Sequence, residues 1–220
     1  MGLSGTEADP YNRPMVRTLT AASMAALILG AGVGCTSGPP PPAGAGESYA
    51  ETITAHRVEK DRYFREGEGS PIPVGRRAAF AGLRYYPIAP AYKVPANLTP
   101  EPSAEPLLIE LTNSQGTIER LVRVGTIAFR LDGTPHTLTA FASSADRLER
   151  LFVPFGDATN RTETYGGGRY LDLDRTTTGL YNLDFNLAYN PNCVYDDAWV
   201  CPLPPPENRL GIPIRAGERM

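Results

Sequence analysis

The chain has 220 residues, a formal net charge of −3, 22 glycines, 22 prolines and 9% aromatic residues. With 21 basic residues against 24 acidic ones, it has no clustered cationic excess to neutralise phosphates, which excludes a nucleic-acid footprint. The Gly and Pro content calls for short elements and many turns, and the length suffices for one domain with its own core once a leader is set aside.

Residues 1–35 read as an export signal. Arg13 and Arg17 precede the apolar run 21–34 (AASMAALILGAGVG), which is too short to span a bilayer permanently. Gly32, Val33 and Gly34 before Cys35 resemble a bacterial lipoprotein processing box, in which the cysteine becomes the lipidated first residue. Gly32 departs from the Leu usual there, so a plain signal peptide or short uncleaved anchor stays the alternative. Met15 is an alternative start to Met1. Residues 36–46 (TSGPPPPAGAG) form a Pro/Gly-rich tether. The expected location is the cell envelope, anchored through lipid on the outer side of the cytoplasmic membrane, or secreted, with the membrane as partner.

The remainder, 47–220, reads as one β-rich domain. Residues 47–67 predict a helix opening on a capping box of Ser48 and Glu51. Its apolar stripe is read as Ile53, Val58, Tyr63 and Phe64, with Glu59, Lys60, Asp61 and Arg62 facing water and His56 exposed without an evident partner. Pro71 and Pro73 end it, and 74–83 adds one short turn of helix. Residues 84–88 and 91–95 read as proline-broken strands at a sheet edge, and 97–105 as a loop.

Clear alternation begins at Leu107, Ile109 and Leu111, and continues through 117–124 and through Ile127, Phe129 and Leu131. Asp132-Gly133 then predicts a two-residue hairpin that sets Leu131 opposite Thr134, Phe129 opposite His136 and Ile127 opposite Leu138. His136 is read as a core histidine. Residues 151–155 (LFVPF) form another strand, and 156–168, with its three glycines, reads as a flexible turn. In 169–174, Tyr170 and Asp172 share one face, with Leu171 and Leu173 on the other. Tyr181, Leu183 and Phe185 mark a last core strand. The predicted architecture is mainly β: a single antiparallel β-sandwich or partly open barrel with one N-terminal helix.

Three blocks carry a resemblance: SPIPVGRRAAFAGLRYYPIAP at 70–90, LFVPFGDATNRTETYGGGRYLDLD at 151–174 and DFNLAYNPNCVYDDAWVCPLPPPENRLGIPIRAGE at 184–218. Together they resemble the bacterial and archaeal family of domain of unknown function 1684. The resemblance implies no activity, substrate or cofactor. It implies a protein that is often exported or lipid-anchored, with 184–218 as the signature block. The opening helix departs from the family pattern by carrying TAHRV at 54–58 in place of a Trp-containing turn.

Once Cys35 is used for lipidation, Cys193 and Cys201 remain as an even pair, which in an exported chain favours a disulfide. Two histidines cannot build a multi-histidine metal site, and C-x7-C is not a zinc-knuckle spacing, so no metal is expected. Around that segment lie Tyr165, Arg169, Tyr170, Asp172, Asp184, Asn186, Tyr189, Asn190, Glu207 and Asn208, the candidate ligand-binding residues. Pairing of 169–174 with 179–185 would place Tyr170, Asp172 and Asp184 on one surface, where Arg169, clustered with Glu207, would offer a planar donor for a carboxylate or phosphate. Two functional readings follow. One is a non-catalytic envelope module binding a small molecule or envelope component. The other is a hydrolase acting on an envelope polymer through a carboxylate pair from Asp172, Asp184 and Glu207. Short turn and cap roles for the same Asn and Asp residues compete with both. No nucleophile elbow, phosphate loop, HExxH, CxxC or dinucleotide fingerprint is present.

Overall fold

The computed structural model describes residues 48–102, 106–142, 149–174, 176 and 180–220. The leader, Cys35 and the tether lie outside the described residues, as does most of the segment 176–179, which the sequence marks as a turn.

Helix α1 (Tyr49–Glu66) starts on the expected capping box. The Ser48 hydroxyl accepts from the Glu51 N–H at 3.3 Å, and the Glu51 carboxylate accepts from the Ser48 N–H at 2.7 Å. Gly67 ends it by donating its N–H to Tyr63 at 2.7 Å. The buried stripe is Ile53, Lys60 and Phe64. Val58 stands 65% exposed, while Lys60 is only 4% exposed. Both depart from the expected pattern, because a second surface, the C-terminal segment, covers the Lys60 side of the helix. The Lys60 ammonium reaches the Glu218 carboxylate at 2.8 Å and lies 4.4 Å from the Tyr189 ring centroid. Helix α2 (Val74–Arg77) is the predicted short turn.

Among the described residues nine strands follow: β1 (Arg84–Tyr85), β2 (Lys93–Pro100), β3 (Leu107–Thr112), β4 (Ile118–Leu131), β5 (Thr134–Ala142), β6 (Arg150–Phe155), β7 (Arg169–Asp174), β8 (Tyr181–Asp184) and β9 (Glu218–Arg219). Strands β2 to β8 make one seven-stranded antiparallel sheet in the order β7-β6-β5-β4-β2-β8, with β3 also on β4. The sheet curls into a nearly closed barrel, as its mainly β sequence predicted. Its two ends are joined by a backbone bridge between Tyr170 on β7 and Tyr189 just beyond β8, with N–H to O distances of 2.9 and 3.0 Å.

The β4–β5 hairpin has the expected register at all three pairs, and Asp132 and Gly133 take φ of 48° and 76°, the left-handed conformation that the turn requires. A bulge between Arg123 and Gly125 shifts the parity of β4, so that Leu121 and Ile127, six residues apart, are buried in two different clusters. A Cβ on Gly125 would stand 2.2 Å from the Thr99 carbonyl oxygen.

Strand β2 overturns the edge assignment. Lys93 to Ala96 pair with β8, and Asn97 to Pro100, expected as loop, pair with β4. Each half has a ladder on one side only, which is how Pro95 and Pro100 are tolerated inside the sheet. The expected pairing of 169–174 with 179–185 is likewise replaced: β7 pairs β6 and β8 pairs β2.

Ile127, Phe129, Leu138, Val153, Leu171 and Phe185 lead the barrel core, and Leu111, Leu121 and Phe141 form a smaller outer cluster with Phe152. His136 packs against Phe129 at a centroid distance of 5.5 Å, but it is half-buried and stands at the margin of the core, not within it as expected.

Candidate functional site

Most of the residues singled out from the sequence hold the C-terminal segment in place. Arg169 is fully buried. It pairs with Asp157 at 2.9 Å and donates to the carbonyls of Ile214, Ala216 and Glu218 at 2.7, 2.5 and 2.9 Å. Asp157 in turn accepts from the backbone and hydroxyl of Thr159, so the loop expected to be a flexible turn is anchored from inside. Tyr170 donates to the Pro202 carbonyl at 2.6 Å, and Tyr189 donates to Asp172 at 3.0 Å. The Asn190 N–H meets Glu218 at 2.8 Å, and Asn208 is wholly buried between β5 and β6.

Tyr165 is half-buried beside Cys193. Glu207 is exposed and lies 3.7 Å from Arg123. Arg169 and Glu207 thus have different partners and do not cluster. The three carboxylates proposed for acid and base work also stand apart: Asp172 is with Tyr189 and Arg150, Asp184 with Tyr49 and Asn186, and Glu207 with Arg123.

Asp184 and its neighbourhood face a cavity. Asp184 ends β8 directly opposite Lys93, which opens β2. One face of α1 lies over this pair, presenting Tyr49, Thr52, Ile53 and His56 at the i, i+3, i+4, i+7 spacing of a single helical stripe. Together with Leu187 they line a cleft of about 400 Å³. The Tyr49 hydroxyl donates to both Asp184 carboxylate oxygens, at 2.9 and 2.8 Å, and Asn186 donates its backbone and side-chain N–H to the same carboxylate at 3.0 Å each. Burial, reinforced by the Asp184 carboxylate, pushes the Tyr49 phenol well above its ordinary value. The Lys93 ammonium sits at the rim, 4.7 Å from the Tyr49 ring centroid. Asn186 fixes the floor by exchanging 2.8 Å hydrogen bonds with the backbone of Ala89.

Sequence reasoning found Asp184 and Asn186 but missed Tyr49, Thr52, Ile53, His56, Lys93 and Leu187. The helical spacing of Tyr49, Ile53, His56 and Lys60 carried the signal, masked by the stronger apolar look of Val58. His56 is not the exposed residue expected. Burial, with the charges of Lys60 and Arg57, lowers its imidazole from 6.5 to about 4. The folded state therefore keeps His56 neutral while the unfolded chain takes up a proton. Its stabilising contribution is complete above pH 6.5 and is lost as pH falls from there toward 4. Thermal midpoints of the parent should drop across that window, and those of His56→Gln should drop less; parallel curves for the two would refute the assignment.

A family model described as "Protein of unknown function (DUF1684)" matches residues 78–219. The chain belongs to this family. The match spans β1 to β9, so Lys93, Asp184 and Leu187 lie inside it and the α1 face of the cleft lies before it. The DUF1684 chain is also similar to an uncharacterised protein of Haloarcula marismortui solved by NMR in solution. The two share 42% identity at a TM-score of 0.60, over 77% of this chain and 92% of the other. No curated protein matches the chain.

Proposed function

We propose that the protein is an exported, lipid-anchored envelope module that binds a small organic molecule in the cleft under α1 without transforming it. The observation that carries this reading is the cleft itself. Its volume of about 400 Å³ is in the range of ligand sites, apolar walls from Ile53 and Leu187 alternate with Thr52 and neutral His56, and the Asp184 carboxylate and Lys93 ammonium stand at one end. A ligand with an apolar body and a hydrogen-bonding head suits that lining. The hydrolytic alternative has less support, since its three carboxylates have separate partners.

Lipidation of Cys35 would hold the domain at the membrane through the tether. A Cys193–Cys201 disulfide formed on export would add a covalent closure to the 193–201 loop. As a test, the full chain with Cys35→Ser is exported through its own leader and weighed under native and then denaturing conditions. The native mass should exceed the denatured one by a retained molecule, and Thr52→Trp, which fills the cleft with an indole, should abolish the excess. Equal masses throughout would defeat the binding reading. A Cys35→Ser chain that stays in the membrane fraction as firmly as the parent would defeat the lipid anchor.

A further inference from the structure

We propose that Cys193 and Cys201 form a thiol–disulfide exchange centre for small disulfides and thiols, in which Cys193 is the attacking sulfur and Cys201 the resolving one. The proposal rests on the pairing of these two residues and is independent of the cleft.

Three features of the geometry carry it. The first is asymmetric access. Cys193 is half-buried, whereas Cys201 is 4% exposed, so a reagent from solvent meets one sulfur before the other.

The second is that the sulfurs are held together by bonds other than an S–S bond. Here both are thiols, and the Cys193 N–H donates to the Cys201 sulfur at 3.2 Å. Cys201 is fastened to the β3–β4 turn: its N–H donates to the Ser114 hydroxyl at 3.2 Å and its carbonyl accepts from the Ser114 N–H at 2.8 Å. The next two residues continue the attachment, through an Asn113–Pro202 bridge and a 2.8 Å bond from the Leu203 N–H to Thr112. Cys193 sits in a 3-10 turn (Asn192–Val194) closed by the Tyr195 N–H on Asn192 at 2.9 Å. A cystine whose only task is to pin a loop is redundant in such a place. A cystine that must open and close without unfolding the domain needs this kind of support.

The third is the set of donors on the Cys193 sulfur. The Cys201 thiol, Ser114 and Tyr165 lie beside it and favour the thiolate, the form that attacks disulfides. They bring the Cys193 thiol down to about 7 and hold Cys201 in the protonated state. The groups beside the pair are Tyr165 and Tyr170, both raised chiefly by burial, and behind them the carboxylate of Asp197 acts on Tyr165 and that of Glu119 on Tyr170.

The exchange balances as follows. The Cys193 thiolate attacks a small disulfide RSSR, forming the mixed disulfide Cys193–S–S–R and expelling RS⁻. Cys201 gives its proton to the departing RS⁻ and attacks the Cys193 sulfur, which breaks the mixed bond and expels the second RS⁻, protonated by solvent. The protein loses two electrons and the small disulfide becomes two thiols. A small thiol drives the same steps in reverse.

The test uses the full chain in a Cys35→Ser background, equilibrated with mixtures of reduced and oxidised glutathione, quenched in acid and weighed. The oxidised fraction, lighter by two hydrogens, should rise smoothly with the share of oxidised glutathione and fall again when that share is lowered. Circular dichroism should stay that of a folded chain throughout. Cys201→Ser should accumulate one glutathione adduct on Cys193, and Cys193→Ser should accumulate roughly ten-fold less at neutral pH. If no mixture removes two hydrogens, the pairing and the exchange both fail. If the bond forms but glutathione does not reopen it, the pairing stands as structural and the exchange is overturned. If Cys193→Ser captures glutathione better than Cys201→Ser, the assigned roles are wrong.

Discussion

Asp157→Ala should lower the thermal midpoint of the domain by about 10 °C, the consequence of a loss of roughly 3–5 kcal/mol when one member of a buried ion pair is removed. Asp157 and Arg169 have fully buried side chains, and among the described residues their contact at 2.9 Å is the one ion pair of this guanidinium. The remaining Arg169 bonds go to backbone carbonyls of Ile214, Ala216 and Glu218, so a cation without its carboxylate would be stranded under the C-terminal segment. The other carboxylate oxygen accepts from the Thr159 N–H and hydroxyl at 2.8 and 2.6 Å and from the Ile214 N–H at 3.2 Å, and those groups would lose their acceptor as well. Replacing both partners by apolar residues, Asp157→Leu with Arg169→Met, should recover a large part of the loss because no charge is then left buried. Thermal and urea unfolding measure both effects. A single variant within about 2 °C of the parent would show that the pair is not buried in solution.

Asn208→Leu should cost a comparable amount, roughly 3–6 kcal/mol, by leaving three buried backbone groups without partners. Strands β5 and β6 are in ladder register at Phe141 and Phe152, and continuing that register two residues brings Thr139 opposite Pro154. Proline has no N–H to give. The Asn208 side chain supplies what is missing: its amide donates to the carbonyls of Thr139 and Pro154 at 2.9 and 2.7 Å, and its oxygen accepts from the Thr139 N–H at 2.6 Å. A side-chain amide thus acts as a peptide unit inserted into the seam. Beyond the lower midpoint, amide exchange at Thr139 and at Gly156, whose N–H donates to the Asn208 carbonyl at 2.9 Å, should accelerate more than exchange in the β4–β5 hairpin. Uniform acceleration over the whole sheet would mean that Asn208 contributes to global stability but does not close this seam.

These two residues also show why the candidate site was only partly legible. Arg169 and Asn208 have the composition of a ligand site, a planar cation and an amide beside aromatic rings, and the structure uses both as internal fasteners. Polar side chains look alike in sequence whether they face solvent, a ligand or an unpaired backbone group. Which of these they face depends on strands and loops distant in the chain. Asp184 is the counter-example. It was singled out as one of the polar residues around the C-terminal segment, and it does border the cleft, but its neighbours come from a helix more than a hundred residues earlier and from the opening of β2. Lys60 makes the same point in the opposite direction. It sits within a run of charges that would be solvated on an isolated helix, and Glu218 and the Tyr189 ring enclose it.

What the sequence by itself determined is local in origin. The capping box at Ser48 and Glu51, the Asp132-Gly133 turn with its register, and the alternation that separates Leu171 and Leu173 from Tyr170 and Asp172 all depend on conformational preferences within a few residues, which hold wherever the segment is placed. Only the tertiary structure decided which strands are neighbours, that β2 serves β8 with one half and β4 with the other, and that the chain beyond β8 returns to bridge β7 and close the barrel. It also decided which polar groups are buried. Those outcomes depend on satisfying backbone N–H and C=O groups across large separations in sequence, a condition met by the assembled sheet as a whole and by no single stretch of it.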